Sequence, residues 1–141
     1  MYSSLTDDDI RTLQNQRLWI RGIILKRFSI TINDKCELVL LQRIIDENIL
    51  VISSDDTLNA LGTCFGDTIL SLINAEWCIV NDELGIRSAI KVIGKNVAIN
   101  PGSMLINRRN RGDKIDFQSI LQGLINWLIE NDHNIAKEKI V

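Results

Sequence analysis

The hydrophobic period of this chain shortens at Asn74 from about 3.6 residues to about 2, and lengthens again after Ile99. A helix buries one stripe and a strand buries one face, so a chain that switches period twice must fold helices against a sheet. Upstream of the switch, Thr6 with Asp7, Asp8 and Asp9 is a helix start: the hydroxyl caps open amides and the acids suit the positive end of the dipole. That helix is expected to run to about Phe28, with Ile10, Leu13, Leu18, Ile24, Leu25 and Phe28 on one broad apolar arc. Arg17 and Arg21 fall inside the arc. Either their stems carry the charged heads to water or a carboxylate meets them, because an unpaired buried charge is very costly.

A second helix is expected from about Asp34 to Asn48, capped by Asn33 or Asp34, with Val39, Leu40, Ile44 and Ile45 at helical spacing. A third begins at Ser54 or Asp55 and places Leu58, Leu61, Phe65, Ile69, Leu72 and Ile73 on one face. Gly62 and Gly66 lie in that same arc, where each costs about 1 kcal/mol relative to alanine, so close backbone approach is implied. Asp67 is expected to project toward the opposite side.

Beyond Asn74, Trp77 and Ile79, then Ile86, Ile90 and Val92, then Val97 to Ile99 form short runs separated by turns. Gly85 takes the left-handed position of the first turn, and Gly94-Lys95-Asn96 makes the second. Pro101 ends the last strand, and Ser103 is expected to cap a short helix through Ile106 or a little beyond. A last helix, Asp116 to about Glu130, carries Phe117, Ile120, Leu121, Leu124, Ile125 and Leu128 on one face. The expected fold is one α+β domain over 1–141. N-terminal helices pack on a small three-stranded antiparallel sheet, followed by a C-terminal helix, with ends frayed at about 1–5 and 131–141.

Met1 to Ile10 lacks the basic, apolar and small-residue succession of a secretory signal, and no apolar run approaches the roughly 18 residues of a membrane span. Cys36, Cys64 and Cys78 have no CxxC spacing and lie in apolar surroundings. A soluble cytoplasmic protein without a cofactor is therefore expected. The net charge of -2 offers no global attraction to polyanions. Arg108, Arg109, Arg111 and Lys114 form one basic cluster without aromatic interleaving, so a nucleic-acid partner is not expected.

Leu61-Gly62, Phe65-Gly66-Asp67, Glu76-Trp77, Asp82-Glu83-Leu84-Gly85, Pro101-Gly102-Ser103-Met104 and Arg108 follow one another in a spaced series. In that order they resemble a family of small bacterial proteins known only as a domain of unknown function. Weaker similarity continues through Gln16-Arg17, Leu40 to Arg43 and Arg111 to Asp113. The family's Lys-Arg pair is Asn107-Arg108 here. The resemblance implies a compact bacterial domain and assigns it no reaction.

Two functions follow from the residues. A polar site of Asp67, Glu76, Asp82, Glu83, Arg108 and Arg17 would bind another protein, a toxin in the concrete version, with the chain as its immunity protein. Acidic groups such as Asp7, Asp8, Asp9, Asp55, Asp56, Asp82 and Glu83 would then imitate a nucleic-acid backbone. The alternative is a carboxylate- or metal-dependent enzyme centred on Asp67, Glu76 and Asp82, which requires those oxygens to converge in one pocket. His133 is the single histidine and lies in the tail, so His-based nucleophilic catalysis is not expected. Trp77 is expected in the core, with Trp19 and Trp127 at helix margins where a partner would sit.

Overall fold

The computed structural model describes residues 2–33, 36–83 and 85–131. Asp34 as a cap, Leu84 in the turn, and the tail with His133 lie outside the described residues. Among the described residues five helices and four strands follow in the order β1 (Tyr2–Ser3), α1 (Asp7–Phe28), α2 (Leu38–Asp46), α3 (Asp55–Leu70), β2 (Ala75–Asp82), β3 (Gly85–Val92), β4 (Ala98–Ile99), α4 (Pro101–Arg111) and α5 (Phe117–Asn131). The sheet is antiparallel throughout with spatial order β1-β2-β3-β4. The α+β class is as expected; the strand number is not. Tyr2 and Ser3, expected to fray, pair with Val80 and Ile79 and make a fourth strand.

Local chemistry explains most boundaries. Thr6 caps α1 in a reciprocal box, its hydroxyl accepting from the Asp9 amide while the Asp9 carboxylate accepts from the Thr6 amide at 2.8 Å. These bonds hold the Asp9 carboxyl below its ordinary value. Ser54 caps α3. The helix α2 is shorter than its periodicity suggested, starting after Glu37, which makes no side-chain cap. The cap of α4 is Asn100, not Ser103: the Asn100 Oδ1 accepts from the Ser103 amide at 2.9 Å, Pro101 opens the first turn, and Gly112 closes the last at φ 74°. Gly85 adopts φ 110°, as the hairpin requires.

Nearly every side chain of α3 from Thr57 to Ile69 is buried, so this helix is the centre of the fold. Gly62 and Gly66 have separate neighbours. A methyl on Gly62 would stand 2.6 Å from the Gly102 backbone nitrogen of α4, and one on Gly66 would stand 2.5 Å from the Trp77 indole. The core extends to α5 through an edge-to-face contact of Phe65 with Phe117, their centroids 5.2 Å apart. Gln42 on α2 clasps the start of α5 by accepting from the Phe117 amide and donating to the Ile115 carbonyl, both at 2.9 Å. By contrast, among the described residues nothing lies within 4 Å of the place a Gly123 methyl in α5 would take. Gly123→Ala is expected to raise stability by about 0.5–1 kcal/mol in urea denaturation, since helix propensity is the only term that changes.

The broad arc read along α1 is corrected. Its buried stripe is Leu13, Ile20 and Ile24, whereas Ile10, Leu18 and Leu25 are exposed. Val39 of α2 is likewise exposed. The stripe that faces α3 is narrower than the arc because Arg17 enters its edge. The same shift turns Leu18 and Leu25 outward.

Candidate functional site

Arg17 on α1, Asp67 on α3 and Trp77 on β2 form one polar knot. The Arg17 guanidinium donates through Nε to Asp67 Oδ2 at 2.7 Å and through Nη2 to Oδ1 at 2.9 Å. Trp77 Nε1 donates to the same Oδ1 at 3.1 Å. A bidentate charged pair with a third donor satisfies the carboxylate at both oxygens. Asp67 therefore does not project away from the glycine arc. It lies one residue beyond Gly66, whose missing side chain admits the indole that Asp67 then binds. Arg17 is the arginine of α1 that meets the Asp67 carboxylate in a bidentate pair.

Below the knot are two thiols. Cys64 of α3 and Cys36 share a hydrogen bond that lowers the Cys36 thiol and raises Cys64, which burial raises further. All three cysteines are buried and free.

The other candidate residues are placed elsewhere. Strand alternation puts Trp77 on one face of the sheet and Glu76 and Asp82 on the other. Glu76 is opposite Lys91 in the register, and Asp82 accepts from Arg87 Nη2 at 2.9 Å beside the hairpin turn. Glu83 is exposed in that turn, and Arg108 is half-buried on α4, next to Arg109, which pairs with Asp55 at 2.6 Å. Asp67, Glu76 and Asp82 thus fail the convergence that the enzyme alternative required. Among the described residues no group of three or more His, Cys, Asp or Glu side chains is placed to hold a metal ion.

One side of the knot is open. Arg17 and Asp67 line a groove of about 680 Å³ with Gln14, Leu18, Arg21 and Leu70. A second hollow of about 370 Å³ shares Leu18 and Arg21 and continues past Gly22 to Leu25 and the segment Thr31 to Asn33. Together they follow α1 from Gln14 to Leu25, eleven positions or about 16 Å of helix. Leu18 is 62% exposed and Leu25 51%. Sequence reasoning missed both, counting them as core. The signal present was Arg17 and Arg21 inside the supposed core arc, which mark where that arc leaves the interior.

Residues 37–120, more than half of the chain, match the family described as "Domain of unknown function (DUF3806)". The chain belongs to that family. The resemblance read from the motif series is thus supported at the level of a domain of unknown function. No curated protein matches this DUF3806 chain in sequence. A crystal structure from Bacteroides thetaiotaomicron VPI-5482, at 1.50 Å resolution, is similar to it with a TM-score of 0.75 and 15% identity. The similarity covers 93% of this chain and 47% of that one, so the chain spans about half the length of its structural relative. At that identity the likeness is one of fold. No described helix of the DUF3806 chain is long and apolar enough to cross a membrane.

Proposed function

We propose that this DUF3806 domain is a cytoplasmic protein-binding module, with no catalysis of its own, that docks through the outward face of α1. Neutralising an antibacterial toxin, as an immunity protein, is the concrete form of that reading. The observation that carries it is the exposure of Leu18 and Leu25 along a groove whose wall is the satisfied Arg17–Asp67 pair. Apolar side chains left outward beside a preformed groove fit an interface.

The acidic groups first considered support this reading less well than the outward face of α1. Asp9 is held in the α1 cap, Asp8 pairs with Arg11, Asp55 with Arg109 and Asp82 with Arg87. Carboxylates committed to neighbours imitate a phosphate backbone poorly.

Coexpression with the product of the adjacent reading frame tests the proposal by size-exclusion chromatography and by survival of the host. The parent chain is expected to form a stable complex and to rescue growth. Leu18→Glu/Leu25→Glu, at two exposed positions, is expected to keep its unfolding free energy within about 0.5 kcal/mol per site of the parent and to lose both complex and rescue. Neither complex nor rescue from the parent would sink the toxin reading; an unimpaired double variant would sink the choice of face.

A further inference from the structure

We propose that Cys36 and Cys64 are a disulfide-forming pair, joined reversibly when hydrogen peroxide reaches the native chain. The two thiols share a hydrogen bond inside the core, one from the connector between α1 and α2 and the other from the middle of α3. Both are free, and only 3% and 2% exposed. A second bond fixes the placement. Thr68, one turn beyond Cys64 on α3, donates its hydroxyl to the Cys36 carbonyl at 3.3 Å. The main chain that carries Cys36 is thus tied to the same helix whose sulfur it meets. This inference stands apart from the docking reading, since its readout is the bond itself.

The two sulfurs have different roles. Their shared bond lowers the Cys36 thiol and raises Cys64, so the Cys64 S–H is the donor and the Cys36 sulfur the acceptor. Burial opposes the lowering at Cys36, and the charge of Arg21 adds to it. Arg21 and Asp67, the two charges felt at Cys36, both line the open groove of about 680 Å³. The thiol therefore lies within electrostatic reach of that groove, from which a molecule little larger than water would approach. Cys78 is placed otherwise. It lies on β2 on the face of the sheet that Glu76 and Asp82 share, opposite Ala89, and burial raises its thiol without a sulfur partner.

The chemistry closes in two steps. The Cys36 thiolate attacks one peroxide oxygen; the O–O bond breaks, the departing hydroxide takes a proton and leaves as water, and Cys36 becomes a sulfenic acid. Cys64 then attacks the Cys36 sulfur: the S–S bond forms, the S–O bond breaks, and the Cys64 proton leaves with the hydroxide as a second water. Two thiols and one peroxide give one disulfide and two waters, the two electrons coming from the sulfurs. A thiol reductant reverses the bond, as a transient disulfide in a reducing compartment requires. Cys36 follows Thr31 to Asn33, which wall the second hollow, so the bond would tie the stem of that wall to α3.

Hydrogen peroxide added to the full native chain, then an acid quench, alkylation in urea and peptide mapping by mass spectrometry, tests the proposal. The expected product links the Cys36 and Cys64 peptides with the loss of two hydrogens, leaves Cys78 alkylated, and is reversed by dithiothreitol. Because the link closes the chain between the α1–α2 connector and α3, the linked chain is expected to unfold at least about 5 °C higher than the reduced one. In Cys64→Ala, oxidation of Cys36 should stop at a sulfenic acid that dimedone traps. In Cys36→Ala, Cys64 is expected to oxidise at least about tenfold more slowly than the parent forms its link. The parent map needs neither variant to fold. Three alkylated cysteines after peroxide, a link that includes Cys78, sulfinic acid in place of a link, or a linked chain with no gain in thermal midpoint would overturn the pair. Undiminished oxidation of Cys64 in Cys36→Ala would overturn the role of Cys36 as the attacking thiol.

Discussion

Gly62→Ala is expected to lower the unfolding free energy by about 3 kcal/mol and the thermal midpoint by roughly 10 °C, the largest change from a single added methyl in this chain. The new Cβ would stand 2.6 Å and 2.7 Å from the Gly102 nitrogen and α-carbon. Those are backbone atoms of a helix whose own start is fixed by Asn100 and Pro101, so no side chain can swing aside. The helices α3 and α4 must separate along their contact. Gly66→Ala is the instructive comparison, because there the obstacle is the Trp77 ring, which can tilt. Its cost is expected to be smaller, though the tilt would loosen the indole from Asp67. Urea denaturation of both variants beside the Gly123→Ala control separates close approach from helix propensity; equal effects at Gly62 and Gly123 would contradict the packing account.

Asp67→Asn is expected to destabilise by about 2–3 kcal/mol. Truncating one partner of a fully buried ion pair costs about 3–5 kcal/mol, and the value here is discounted because the Arg17 and Asp67 side chains remain 21% and 19% exposed. Asparagine keeps an oxygen for the Trp77 N–H and loses the charge that holds the guanidinium. Combining Asp67→Asn with Arg17→Met should recover most of the loss, since the unmatched charge is what costs energy. A double variant no more stable than Asp67→Asn would mean that the carboxylate, not the pair, carries the effect.

Much of this architecture was legible because it depends on short-range chemistry. Thr6, Ser54, Gly85 and the Phe117 to Leu128 stripe act within a few residues of themselves, and each forms the element its neighbours imply. The glycines of α3 were legible as close approach, but what approaches was not: Gly102 and Trp77 arrive from different elements. The strand β1 was illegible because its two residues have no period, and its partner lies at Val80. Arg17 and Arg21 could be recognised as residues that must reach water or a carboxylate; that Asp67 is the carboxylate Arg17 meets depends on how α1 packs on α3. The outward leucines were hidden by their own chemistry, since an apolar side chain on an amphipathic helix is counted inward until its neighbours' burial is known.

The strand β1 is small, yet it sits against the outer edge of β2, the eight-residue strand that would otherwise end the sheet. An unprotected strand edge is a template for pairing with another chain. Two residues of backbone thus cover that edge at Ile79 and Val80, and clipping them would lengthen the stretch of β2 open to another chain.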